Sequence, residues 1–568
     1  MDMPIEKATH TERLARIAFL LLLGIVAFFA FGPGGDDDAH ITYTAAQNLA
    51  NSGAITNING DAIEQSSSLL HVILLGYGFK LADMIFSHVD MPAFGPIFSL
   101  FFAVLCLPLG MSLARRLQVK NVLTVGLLLS LSTSFSYWAL GALEATLAAA
   151  CVLYYLFAVE NFIRIHQPHY FDGHILWATL LFLLVRPESP FVLITFLALY
   201  AGLLVMQKKQ AMLNRIVILA TYALSLILII AGWRLYEFGQ IFPQPVYAKA
   251  DGFSPVKIAI GLWYFIYSAQ LSIIIYTLAL WGIWKQREKV SPHVLAAFAF
   301  CLSYIAFIIT SGGDWMYGGR FFVPILPVLI VLAMYVFQQY RYHYRIVAGL
   351  AILCCMEIAF FALKMSTALP FYQADDFIQQ HDEINWRGYP WSETSNLVHA
   401  RDIPVIDALN DIIDVLPPQT TPLVIASIQM GMVPYHLHNR YGDHIRMVDM
   451  RGLSTRELSN CPALSTAPKT FSGISIHYQD YFKAMKECNL PEPDIIYDLL
   501  NREPEVNAER KQSIINHGYT FVYRQQGKFV ENHGLKVFDT DTFIAVSPKL
   551  YSELPEDLRN RNVVFANP

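Results

Sequence analysis

The chain is 568 residues long, 55% hydrophobic and 13% aromatic, with only 15% charged residues and a formal net charge of −5. A soluble protein usually carries about 25% charged residues, so a soluble enzyme, a disordered chain and a collagen-like fibre are excluded, and the negative balance offers no nucleic-acid footprint. What remains is a polytopic membrane protein.

In chain order, apolar stretches at 12–31, 94–113, 121–140, 145–163, 174–185, 191–206, 213–232, 259–282, 294–310, 321–338 and 345–363 each resemble one bilayer crossing. A crossing takes roughly 17–25 residues, so 174–185 and 191–206 must borrow flanking residues or dip. The first stretch reads as a retained anchor, because its apolar core is long and no small-x-small site precedes the acidic run. The stretch 67–86 carries His71, Lys80 and Asp83 and reads as partly embedded on the outer side. Beyond about 364, charges, prolines and short alternating runs replace the apolar blocks. The expected organisation is a transmembrane domain over 1–364, with 32–93 as its first outer loop, and a soluble domain over 365–568.

Basic residues set the expected orientation. They stand at Lys7, Arg13 and Arg16, at Arg115, Arg116 and Lys120, at Arg164, at Lys208, Lys209 and Arg215, at Lys285, Arg287 and Lys289, and at Arg341 and Arg345. No simple count puts all of them on one side. The best compromise has eleven crossings, the N-terminus in the cytoplasm and the C-terminal domain outside. In that domain 402–416 has helical spacing, while 423–426, 494–497, 521–523, 529–530, 535–538 and 543–546 read as strands of an α/β or α+β fold. Cys461 and Cys488 can pair in an oxidising compartment. Cys106, Cys151, Cys301, Cys354 and Cys355 read as small buried side chains.

The unusual residues fall in the presumed outer loops. Asp36, Asp37 and Asp38 follow the first span, where a carboxylate can deprotonate an acceptor hydroxyl; helix capping is the plainer reading. Glu144 is costly at the membrane boundary unless paired, and can bind a sugar hydroxyl or pair with Arg186. Arg186, Pro187 and Glu188 interrupt an apolar run, and the Arg186 fork suits a phosphate or a carboxylate. Lys249 and Arg320 are outer-side cations suited to a lipid phosphate or to snorkelling; Arg234 fits snorkelling better. Asp314 follows a Gly312-Gly313 turn. Trp138, Trp233, Trp263 and Trp315 fit an aromatic belt. His40, His71 and His166 form no metal spacing, although Asp37, Asp38 and His40 can hold a divalent ion beside a phosphate. His381-Asp382-Glu383 and His436-Leu437-His438 read as surface or inter-domain contacts. No nucleotide loop, cysteine cluster or serine elbow appears. A transporter would have polar breaks near the midplane and inverted repeats; here polar residues collect at one face, which favours an enzyme.

These residues form an ordered set. Asp37-Asp38-Ala39-His40-Ile41-Thr42, Ala142-Leu143-Glu144-Ala145 after Trp138, Arg186-Pro187-Glu188, Pro243 to Lys249, Gly312-Gly313-Asp314-Trp315 with Arg320-Phe321, and Gly431 to Tyr435 with Val448 to Leu453 follow in order over nearly the whole chain. In this the chain resembles the polyprenyl-phosphate-dependent membrane glycosyltransferases of GT-C fold. The nearest branch is the terminal arabinofuranosyltransferases of mycobacterial cell walls and the bacterial arabinofuranosyltransferases that modify pilin. It departs from their pattern at Ala142 and Ala145, at Gln244-Pro245 where Asn-Thr is expected, around Asn57 to Gly60, and at Gln65-Ser66-Ser67.

The resemblance implies a bacterial inner-membrane enzyme, monomeric and embedded in membrane lipid. It would move D-arabinofuranose from a decaprenyl- or undecaprenyl-type monophosphate to a glycan, lipid or pilin-like acceptor in the periplasm. Mannose, or aminoarabinose delivered to lipid A, is the alternative. It further implies Asp37 as base, with Asp38 orienting it or contacting the acceptor, and Lys249, Arg320 and Arg186 on the donor phosphate. Glu144, Glu188, Tyr247, Asp314, Trp315 and His40 would contact sugar or acceptor, or brace the cations. No cofactor is required, and a divalent metal at Asp37 and Asp38 is compatible.

Overall fold

The computed structural model describes residues 10–34, 37–86, 88–164, 172–249, 252, 254–268, 270–314, 316, 318–368, 393–465, 467, 469–470, 473–474, 478–500, 504–531 and 536–559. Its N-terminal part is a helical bundle. The helices are α1 (His10–Val26, prolonged by a π turn to Phe31), α2 (Asp37–Ser52), α3 (Leu69–Phe86), α4 (Met91–Arg116), α5 (Val122–Ser130), α6 (Thr133–Ala139), α7 (Ala145–Arg164) and α8 (Gly173–Val185). There follow α9 (Ser189–Met206), α10 (Gln210–Phe238), α11 (Gln244–Lys249), α12 (Pro255–Ser268), α13 (Leu271–Lys285), α14 (Pro292–Ser311), α15 (Leu326–Phe337) and α16 (His343–Ala368).

Among the described residues eight helices are long and apolar enough to cross a bilayer, and ten if the bent pairs α5–α6 (63°) and α12–α13 (110°) each count once. The helices α8 and α15 are apolar but shorter. The bend after α5 draws on a partner from another segment. Ser132, Thr133 and Ser134 follow Leu131, and the N–H of Ser134 donates to Gln270 Oε1 at 3.3 Å. Ser136 Oγ donates to Ser130 O at 3.1 Å, and Gln270 Oε1 accepts from Ser134 Oγ at 3.0 Å. α7 and α15 form the buried centre, with Ala148, Val152, Tyr155, Val328, Leu329 and Ile330 all buried. Of the intramembrane cysteines, Cys355 departs from expectation: it is exposed on the outside of α16.

Contacts sort the turns into two ends. At one end Arg115 pairs with Glu12, Arg116 and Arg164 with Glu160, Lys120 N–H donates to Gln338, and Gln207 donates to Arg287 O. At the other end lie the α1–α2 junction, the α6–α7 and α8–α9 turns, α11 and the loop after α14. Both ends of α3 belong to this second side. Its start follows Ser66, which bonds to Thr42 of α2, and its end precedes Asp90, close enough to the C-terminal domain for its charge to act on His436.

The C-terminal domain comprises α17 (Glu393–Asp414), β1 (Leu423–Ser427), α18 (Met432–Tyr441), β2 (Ile445–Asp449), α19 (Arg456–Ser459), the two-residue strands β3 (Lys469–Thr470) and β4 (Gly473–Ile474), α20 (Tyr478–Glu487), β5 (Ile495–Leu500), α21 (Pro504–Asn516), β6 (Thr520–Glu531), β7 (Lys536–Val546), α22 (Pro548–Glu553) and α23 (Glu556–Arg559). The main sheet has the order β2-β1-β5-β7-β6. β1 runs parallel to β2 and β5, with Ile425 opposite Met447 and Ile495; β7 runs antiparallel to β5 and β6. Alternation along the strands feeds two cores. Ile425, Met447, Ile495 and Tyr497 pack with Val405, Leu409 and Leu437 on one face. Ala426, Val448 and Ile496 pack with Leu458, Tyr481 and Ile514 on the other. In that second core Cys461 and Cys488 form a disulfide, their Cα atoms 5.7 Å apart. The strands expected at 423–426 and 494–497 are β1 and β5; those at 521–523 and 529–530 are one strand, β6, and those at 535–538 and 543–546 are one strand, β7. The helix expected over 402–416 is the last part of α17, and β2, β3 and β4 are additions.

Candidate functional site

Five separate segments bring their charged residues to the second end of the bundle. Glu144 immediately precedes α7 and Glu188 immediately precedes α9, so both carboxylates meet the positive end of a helix dipole. Arg186, in extended conformation between α8 and α9, joins them. Its Nε donates to Glu188 Oε1 at 2.7 Å, and its Nη1 pairs with Glu144 Oε1. Tyr304 Oη donates to the same Glu188 oxygen at 3.3 Å. All three charged side chains are buried. The ion pair between Glu144 and Arg186 that the sequence allowed is therefore formed.

Arg320 is held by Asp314 through a fork, Nε to Oδ2 at 2.7 Å and Nη2 to Oδ1 at 3.0 Å. The Phe321 ring lies between the two guanidinium groups, 5.0 Å from Arg186 and 5.6 Å from Arg320. Trp138 is 5.9 Å from Arg320 and donates its indole N–H to Gly318 O at 3.2 Å. The backbone makes this possible. α14 ends on Gly312 and Gly313, with φ of 88° and 79°, conformations that favour glycine. A Cβ at Gly313 would overlap the Tyr264 ring.

Lys249 closes α11 and is half-buried. Among the described residues it has no hydrogen-bond or ion-pair partner, but it lies in the field of Asp38, Arg320, Asp314 and Arg186. Burial pulls its ammonium below the ordinary lysine value, with Asp38 working against that shift and Arg320 adding to it. Arg320 is likewise in the field of Asp38 and Glu144. Asp38, Glu144, Arg186, Lys249, Asp314 and Arg320 thus form one electrostatic cluster.

Asp37 opens α2 but meets the C-terminal domain: its Oδ1 accepts the Met432 N–H at 2.8 Å. The same interface buries His40, whose ring stands edge-on to Tyr43 and Tyr435 and 6.1 Å from His436. Further along, Asn59 pairs with both the N–H and the C=O of Met447 at 2.8 Å, acting as a cap on the edge strand β2. Asn57 donates to Ser454 O at 3.0 Å. Gln244, where the family pattern has Asn, donates to Gly452 O at 2.8 Å. Two departures from the pattern therefore lie at the seam between the helical bundle and the C-terminal domain.

Arg234 corrects an expectation. It does not snorkel; it is buried against Glu64, Nη2 donating to Oε1 at 2.9 Å, because the segment between α2 and α3 folds back over the end of α10. Glu64 was missed, since 170 residues separate the partners. Tyr247 stands 6.4 Å from Phe242, ring to ring, at the edge of the cluster. Asp36, Trp315, His166 and His381 to Glu383 lie outside the described residues. Among the described residues no three His, Cys, Asp or Glu side chains group as metal ligands.

No family model and no curated protein matches the chain. Among solved structures, ArnT from Cupriavidus metallidurans in the apo state aligns with a TM-score of 0.50 at 14% identity, over 95% of this chain and 99% of that one. ArnT from Cupriavidus metallidurans bound to undecaprenyl phosphate aligns with a TM-score of 0.51 at 13% identity, over 97% and 100%. The chain has the GT-C fold. The alignment with ArnT takes in both the helical bundle and the C-terminal domain.

Proposed function

We propose that this protein is a GT-C glycosyltransferase that moves a sugar from a polyprenyl monophosphate to an acceptor outside the membrane. The carrying observation is Lys249, a cation without a contact partner among the described residues, at the centre of a cluster whose two arginines are already braced by carboxylates. Such a cation suits the single negative charge of a donor phosphodiester. The fold is that of ArnT, a protein solved with undecaprenyl phosphate, which supports an undecaprenyl-type lipid here.

Departure of the sugar builds negative charge on the phosphate oxygens and positive character on the sugar ring. Lys249 and the remaining donors of Arg320 stabilise the first. Asp38, Glu144 and Glu188 are the carboxylates assigned to the sugar hydroxyls and the ring charge, with Arg186 holding the two glutamates. Asp37, at the seam with the C-terminal domain, is the base for the acceptor hydroxyl, and must approach it to about 3 Å. The sequence motifs favour D-arabinofuranose as the sugar and a glycan or pilin-like protein as acceptor. The fold likeness keeps aminoarabinose as the second reading.

The test is incubation of the purified protein with a panel of undecaprenyl-phosphate sugars. Consumption of the arabinofuranosyl donor, abolished in Asp37→Asn, is expected. Consumption of a different sugar removes the donor assignment alone, and wild-type turnover in Asp37→Asn removes the base.

A further inference from the structure

Helix α18 presents one face to α2. Residues 431–432, 435 and 439 recur at the spacing of successive helical turns, and each meets α2. Met432 N–H reaches Asp37 Oδ1 at 2.8 Å, Tyr435 Oη donates to Gln47 at 2.9 Å, and Gln47 donates to Asn439 at 3.0 Å. The first of these contacts has no slack. A Cβ on Gly431 would overlap Asp37 O and Oδ1 and stand 2.5 Å from the Asp37 carbonyl carbon. Gly431 has φ of −95°, so no left-handed backbone calls for glycine here. The close approach of Asp37 does.

We propose that Gly431 is a positioning residue for the transfer reaction. By leaving room for Asp37, it lets the start of α18 fix the orientation of the Asp37 carboxylate, so the C-terminal domain forms part of the active site rather than a lid over it. This rests on the reading of Asp37 as base. The Met432 N–H holds one carboxylate oxygen, and the orientation of the other follows from that bond. Pushing the two helices apart by the width of a methyl group moves Asp37 by about the distance that costs 100-fold in rate. The donor cations Lys249 and Arg320 are on other segments, so donor binding is untouched.

The experiment compares Gly431→Ala, Tyr435→Phe and Asp37→Asn in the full-length protein, with turnover and donor retention measured separately. Gly431→Ala is expected to lower kcat by about 100-fold at unchanged donor retention. Tyr435→Phe, which removes a bond at the same seam without adding bulk, is expected to lower kcat several-fold, again at unchanged retention. Wild-type kcat in Gly431→Ala overturns the proposal, as does a loss of donor retention in step with kcat in both variants, which would indicate general damage. If Gly431→Ala does not fold, Tyr435→Phe decides by the same two readouts. Wild-type turnover in Asp37→Asn removes the base assignment itself. An inactive Asp37→Asn with a normal Gly431→Ala removes only the role of Gly431.

Discussion

Lys249 carries a chemistry that depends on pH. Burial lowers its pKa from the ordinary 10.5, and Asp38 offsets only part of that shift. The donor phosphodiester keeps its single charge over the working range, so affinity depends on the protonated fraction of Lys249. That fraction falls as pH rises through the depressed value, so donor affinity is full on the acid side and lost on the alkaline side, earlier than for an exposed lysine. Donor retention measured over about pH 7–10 should decline in the wild type. It should stay flat in Lys249→Arg, because a guanidinium remains charged throughout. Coincident profiles would remove Lys249 from the phosphate site. At this scale the sequence was partly legible. Charges at apolar boundaries are expensive, so Glu144, Arg186, Lys249, Asp314 and Arg320 stood out individually. Their pairing did not, because a partner such as Glu64 for Arg234 is fixed by how a loop folds and not by local pattern.

Each helix contributes to the site through its end. α7 and α9 present their N-termini to Glu144 and Glu188, while α14 stops on two glycines that turn Asp314 back towards Arg320. The length of the apolar stretches made these helices legible, and the Gly-Gly pair marked the turn. The bend between α5 and α6 was not legible, because Ser132 to Ser134 are compatible with a helix until Gln270 from another segment supplies a partner. The turn after α14 yields a test at this scale. Gly313→Ala places a methyl group in a positive-φ conformation and into Tyr264. It should displace the Asp314–Arg320 clamp, lowering turnover at least tenfold together with the thermal unfolding temperature. Gly349→Ala in α16, where nothing stands within 4 Å, should be neutral or stabilising by up to about 1 kcal/mol. Equal behaviour of the two variants would show that the turn is not under constraint.

Across the whole molecule, the two ends of the bundle differ in charge chemistry. Arg115, Arg116, Lys120, Arg164, Lys208, Lys209, Arg287 and Lys289 lie in the turns that contact one another at the end away from the site, where the basic residues are only partly neutralised by Glu12 and Glu160. A linear count along the sequence could not sort these clusters, because α3 resembles a crossing in composition yet begins and ends on the same side. With α3 set aside, and with the short α8 and α15 and the two bent pairs each taken as one span, the crossings number eleven. An odd count puts the start of α1 and the C-terminal domain on opposite sides, and we propose from the positive-inside bias that the basic end faces the cytoplasm. The disulfide between Cys461 and Cys488 agrees with an oxidising compartment for that domain. Fusions of a phosphatase that is active only outside the cytoplasm should therefore be active after residue 559 and after residue 88, and inactive in the 117–121 and 286–290 turns. Activity after 88 but not after 60 would make α3 a true crossing. Activity confined to the 117–121 and 286–290 turns would invert the molecule and place the Lys249 cluster on the cytoplasmic face, where a nucleotide-linked donor rather than a lipid-linked one would have access.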